Sequence, residues 1–201
     1  MRLQKLIAWQ FVFLLLFVVC PAVHAQNGAY TSPADLDLLV QTAHTIVRGR
    51  VMSAKVESHP QFPNIQTVVV TLSVTKVLKG EAASTFTFRQ FLWDAHDLPV
   101  FAGYKGAGEV LFFLNPVSPY GLTSPVGLEQ GRFRVIRDAK GNRYVLNGRG
   151  NSDLFNQVSA KASSRGLTFS RQVREMLLKP TGQAPLNALE DAIQTLVGAP
   201  K

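Results

Sequence analysis

The residues able to do chemistry in this 201-residue chain are few, and their spacing argues against most kinds of catalysis. The single cysteine, Cys20, lies in an apolar N-terminal run, which excludes a disulfide framework and a cysteine-rich zinc site. No Gly-x-Ser-x-Gly elbow is present to present a serine nucleophile. Of the four histidines, His44, His59 and His96 fall beyond the apolar run, at a helix end and in two loops, and His-Glu-x-x-His does not occur. Asp94-Ala95-His96-Asp97 offers three ligand groups within four residues but follows no metal-ligand spacing, so it reads as a solvated loop. Glu109, at the head of an apolar run, and Glu129, before Gln130-Gly131, could approach each other as an acid–base pair. A buried glutamate more often pairs with a base such as Arg132. Gly103, Gly106 and Gly108 precede a strand and not a helix, so they build no phosphate-cradling turn. The expectation is a protein that is not an enzyme, with no catalytic residue, no metal and no cofactor.

Two features point to binding. Trp93 to Ala107 is a long connection carrying Trp93, Phe101 and Tyr104, and such connections are often functional. The plainer alternative is that the three rings cap one end of the core. The other feature is charge. Residues 131–180 hold 11 basic and 3 acidic side chains, whereas 26–130 hold 7 and 8. Arg132 and Arg134 share a strand face by the period of two, and Arg137, Lys140 and Arg143 gather at a hairpin tip. A basic cluster of this kind attracts polyanions, and equally serves as a solvated face.

The elements that must position these residues follow from patterning. Hydrophobic residues make up 46% and charged ones 17%, enough for a packed core. Ser32-Pro33-Ala34-Asp35 reads as a helix start with serine as cap, and the helix runs to about Ala43. Thr45 to Val56 is β-branched and contains Gly49, a site for a bulge or sharp bend. Ile65 to Leu78 alternates Val68, Val70, Leu72 and Val74 with Thr67, Thr71, Ser73 and Thr75, a half-buried strand. Ser84 to Leu92 forms a third strand. Gly108 to Leu114 forms a fourth, apolar throughout and therefore covered on both faces, with a C-terminal helix on its outside.

Gly131 to Arg137 and Asn142 to Asn147 make a hairpin. A type I turn with a left-handed Gly141 sets Arg137 opposite Arg143; a tighter turn pairs Val135 with Leu146 and avoids that like-charge contact. Beyond Gly148 the chain turns polar, with helices from a Ser170 cap through Leu178 and from Pro185 to Val197. The fold class expected is mainly β (α+β): a small OB-like antiparallel barrel over 26–150, with 151–201 a polar linker and C-terminal helices packing on it.

Residues 1–25 read as a secretory signal peptide. Arg2 and Lys5 precede a 14-residue apolar stretch, Leu6 to Val19, and Val23-His24-Ala25 supplies the small residues of a cleavage site. That stretch is short for a bilayer core, which takes about 20 residues. Cleavage after Ala25 removes Cys20 and Trp9 and leaves Gln26–Lys201, 19 basic against 13 acidic residues, a net charge of +6. Export places this chain in the periplasm or the medium of a bacterium, with no transmembrane segment.

Ala43-His44-Thr45-Ile46-Val47-Arg48-Gly49-Arg50-Val51, a variable loop, a strand closing in Val74-Thr75-Lys76-Val77-Leu78-Lys79-Gly80, and Gly108-Glu109 opening an apolar strand occur in a suggestive order. Over about residues 33–137 this resembles the netrin-like, OB-type barrel of the tissue inhibitors of metalloproteinases, and more closely the uncharacterised exported bacterial proteins of that pattern. Those inhibitors chelate the target's zinc with an N-terminal cysteine, which the mature chain lacks, so the resemblance implies a fold and carries over no functional residue. The function expected is an exported, non-enzymatic binding module whose partner is an extracytoplasmic protein or an anionic envelope polymer, not nucleic acid. The alternatives are an inhibitor of a secreted protease acting by loop insertion, and a metal-dependent hydrolase using the His96 loop. Candidate binding residues are Trp93, Phe101, Tyr104, Arg132, Arg134, Arg137, Lys140 and Arg143.

Overall fold

The structure is a computed structural model describing residues 31–99, 102, 104 and 108–198. The proposed signal segment, Cys20 and Phe101 lie outside the described residues.

The first helix, α1, spans Leu36–Thr42 and is capped by Asp35, whose carboxylate accepts the Leu38 N–H at 2.9 Å. It starts three residues later than the Ser32 cap predicts. The reason is competition from a distant side chain: Gln130 Oε1 accepts the Ala34 N–H at 2.7 Å, and Gln130 Nε2 donates to the Ser32 carbonyl at 2.9 Å. Residues 32–34 are thereby fastened to the chain around Gln130, and a carboxylate takes over at the positive end of the helix dipole.

Seven strands follow: β1 (Thr45–Ser58), β2 (Gln66–Lys79), β3 (Thr85–Phe91), β4 (Glu109–Leu114), β5 (Arg132–Arg137), β6 (Arg143–Asn147) and β7 (Ala184–Pro185). They form one antiparallel sheet in the order β3-β2-β1-β4-β5-β6-β7. Its first four strands make a Greek key, three connected strands with the fourth returning beside the first. Three further helices complete the chain: α2 (Val158–Ser164), α3 (Arg171–Leu177) and α4 (Leu186–Val197).

Each face of the sheet has its own core. Ile46, Leu111, Phe113, Phe133 and Val145 pack with all four helices, and Val47, Val70, Leu72, Phe88, Val110 and Phe112 pack on the opposite face with Ala102 and Tyr104. The unbroken apolar run of β4 is explained directly: Leu111 and Phe113 serve one core, Val110, Phe112 and Leu114 the other. Segment 151–170 is also no solvated linker, since Leu154, Phe155, Val158, Ala162 and Phe169 are buried in the helical core.

The second face is concave. Phe88 on β3 and Phe112 on β4 stand three strands apart, about 14 Å at ordinary strand spacing, yet their ring centroids are 5.2 Å apart. The sheet curls because β1 shifts register at three points, bulges that bend the strand and sharpen its twist. One shift falls between Arg48 and Gly49, where a side chain is intolerable: a Cβ on Gly49 would lie 2.5 Å from the Ser73 carbonyl oxygen.

The curl does not close. In place of the barrel expected from the strand pattern, no ladder joins the two sheet ends, β3 and β7, among the described residues. No helix of the described residues is long and apolar enough to cross a membrane.

Candidate functional site

Several of the sequence's separate candidates meet on the concave side, between the end of β3 and β5. Gln90, from the end of β3, is wholly buried on the concave side, and its Nε2 donates to Asp97 Oδ1 at 2.6 Å. Asp94 caps a single 3-10 turn, Ala95–Asp97, accepting the His96 N–H at 2.7 Å, and this turn swings Asp97 inward. The second Asp97 oxygen accepts the Trp93 backbone N–H at 3.2 Å. From the far side comes Arg132 of β5, 6% exposed, with its guanidinium 5.6 Å above the Tyr104 ring. Its carboxylate neighbours, Asp97 and Glu129, each stand at 3.8 Å, an ion-pair separation beyond hydrogen-bond reach.

Electrostatics follow from this burial. Desolvation raises the Asp97 carboxyl above its ordinary value of 3.8, with the Trp93 N–H, the Arg132 charge and Gln90 holding it partly back. Desolvation likewise raises the Tyr104 phenol, against the nearby Arg132 charge and a side-chain hydrogen bond with Arg132. Gln90 Oε1 is buried with no hydrogen-bond partner, and Tyr104 Oη, on a side chain 3% exposed, has no partner of full hydrogen-bond geometry although the Arg132 guanidinium interacts with it. Buried polar atoms are nearly always paired, and leaving one unpaired costs about 1–3 kcal/mol.

The three loop aromatics separate. Tyr104 belongs to the concave core, Trp93 is 56% exposed and meets Phe91 edge-on at 4.9 Å, and Phe101 lies outside the described residues.

The five-residue basic cluster also divides. Arg132 is internal; Arg134, two residues along the same strand face, is exposed. Arg137 sits directly opposite Arg143, so the hairpin takes the wider turn with Gly141 at φ +83°. The like charges are tolerated because Glu109 reaches both, at 3.3 Å and 3.6 Å. Arg134 and Lys140 are exposed with no carboxylate partner among the described residues. Lys161 pairs with Asp35 and Arg165 with Asp37. Five of the eight acidic residues of 26–130 (Asp35, Asp37, Asp97, Glu109 and Glu129) are thus paired with the basic segment. Much of the asymmetry is internal neutralisation.

Other candidates do not assemble. Glu109 and Glu129 do not approach as an acid–base pair: Glu109 also pairs with Arg48, on the helix-covered face, while Glu129 pairs with Arg132 on the concave one. His96 is exposed beside Asp94, and Asp97 turns away from both into the interior. His59 is buried and ties two loops, accepting the Gln61 N–H at 3.2 Å and lying 2.9 Å from the Tyr120 carbonyl. Among the described residues no three His, Cys, Asp or Glu side chains come together as a metal site. Sequence reasoning missed two participants, Gln90 and Glu190. The latter lies on α4 and pairs with Arg48 and Lys76 at 3.2 Å and 2.8 Å, a network with nothing in its spacing to announce it. Comparison of the chain with family models, curated proteins and solved structures finds no match.

Proposed function

We propose that this chain is an exported, non-enzymatic binding module, and that it recognises an extracytoplasmic protein on the concave side, between the end of β3 and β5. The observation that carries the reading is the buried cluster of Gln90, whose Oε1 has no partner, and Tyr104, whose hydroxyl meets only the Arg132 guanidinium, itself with no carboxylate at hydrogen-bond distance. Buried groups without full hydrogen bonding call for an explanation, and a recognition site supplies one. Exposed Trp93, whose backbone is bonded to Asp97, marks the rim. An anionic polymer is the second reading, and it now rests on Arg134 and Lys140 alone of the five basic candidates. We also read the curled Greek-key portion as an open OB-like sheet, on the strength of its strand order and bulged β1.

Two assays test this. N-terminal sequencing of protein recovered from the periplasm or medium should begin at Gln26, and an intact Met1 would defeat the export reading. Affinity capture from the cell envelope should retain a partner with wild-type protein and lose it with Tyr104→Phe. Trp93 is the only tryptophan after Trp9, so its emission in the exported chain should respond to that partner. Capture unaffected by Tyr104→Phe would place recognition elsewhere.

A further inference from the structure

We propose that a cleft at the β7 end of the sheet, sharing no residue with the β3–β5 cluster, binds a saccharide unit that carries a carboxylate. The cleft has a volume of about 460 Å3 and opens where the β5–β6 hairpin meets β7 and the first turns of α3 and α4. That size is ordinary for a small-ligand site. Tyr144 and Pro185, partners across the β6–β7 ladder, both line it.

The polar groups of the lining are available to a ligand. Asn142 donates Nδ2 to Asp138 at 2.8 Å, which fixes its amide and leaves Oδ1 without a partner among the described residues. Gln172 on α3 and Asn187 on α4 are exposed and make no hydrogen bond among the described residues. The Tyr144 hydroxyl makes none there either. Carboxamides donate and accept at once, as sugar hydroxyls do, and three of them border one cleft beside an aromatic ring.

Charge adds the carboxylate. Arg143 is the one charged side chain of the lining. Glu109 stands 3.6 Å from it, beyond hydrogen-bond reach, and the same carboxylate also pairs with Arg48 and Arg137. Arg48 in turn shares Glu190 with Lys76. Four cations thus divide two carboxylates, and the network is left net positive where Arg143 borders the cleft. An anionic group on the ligand meets that excess, and a guanidinium is built to take a carboxylate.

The test is an NMR titration of 15N-labelled protein, following the side-chain NH2 signals of Gln172 and Asn187. Glucuronate, glucose and acetate are the separate probes, each taken to about 0.1 M because small ligands bind weakly. Glucuronate is expected to shift both signals saturably, glucose to bind about fivefold more weakly, and acetate to leave them in place. Arg143→Gln also removes the like-charge contact with Arg137, so it keeps the fold, and it is expected to bring glucuronate down to the affinity of glucose. Lys55→Gln, on an exposed part of β1 away from the cleft, is expected to change nothing. Equal binding of glucuronate and glucose, or equal losses from the two variants, would overturn the carboxylate contact. Acetate acting like glucuronate would overturn the saccharide. No saturable shift with any probe would show a merely solvated cleft and overturn the site, leaving the reading of the β3–β5 cluster untouched.

Discussion

Asp97 shows how burial alone can give one side chain a measurable signature. Its folded-state pKa is raised by desolvation, so the folded protein holds that proton more tightly than the unfolded chain does. The sign follows from proton linkage. The contribution is fully favourable below the ordinary value of 3.8 and is lost as pH climbs from there through the raised folded value. Asp97→Asn removes the titration, so its thermal midpoint is expected to lack this decline between mildly acidic and neutral pH. Parallel melting profiles for the two proteins would show that Asp97 is solvated. The side chain was visible in the sequence only as part of Asp94-Ala95-His96-Asp97. The residues there follow no metal-ligand spacing and read as a solvated loop, but the Asp94 cap turns the last carboxylate inward and leaves only His96 outside. Arg132 and Arg134 teach the same lesson from another side. The period of two fixes a shared face, yet depth beneath the connecting loop decides that one is internal and the other solvated.

At the scale of elements, the strands were legible wherever alternation or continuous burial repeated over several residues. β2 is the clearest case: Val70 is wholly buried in the concave core, whereas Thr71 points the other way and shares a hydroxyl contact with Thr87 at 3.1 Å. Val70→Asp is expected to unfold the protein, since an unpaired charge in a core costs several kcal/mol, and Thr71→Asp to fold with a similar far-ultraviolet circular dichroism spectrum. Equal loss from both would contradict the register. Elements specified by distant partners were not legible. Helix α1 starts late because Gln130, nearly a hundred residues away, claims the backbone ahead of it. Helix α2 follows Gln157 in a left-handed conformation, with no capping side chain to signal it, and two-residue β7 is a strand only because β6 lies beside it. The hairpin register was open for a related reason: Glu109, on another strand, is what makes the Arg137–Arg143 pairing tolerable.

For the molecule as a whole, the net charge of +6 on the expected mature chain is less of a surface property than composition suggests. Basic residues from 131–180 bind helix α1, the 3-10 turn, β4 and the chain before β5 to the rest of the fold. Against that internal neutralisation, buried polar atoms lack hydrogen-bond partners at two places among the described residues, Arg48 with Glu190 on the helix-covered face and Gln90 with Tyr104 on the concave one. The central claim is that those on the concave face are kept for recognition and not for stability. The thermal midpoint of Tyr104→Phe without any partner tests it most directly. Removing a buried hydroxyl that lacks a full hydrogen bond is expected to leave the midpoint unchanged or raise it by up to about 4 °C, whereas a fall of more than about 2 °C would show that the hydroxyl is fully bonded within the fold and contradict the account.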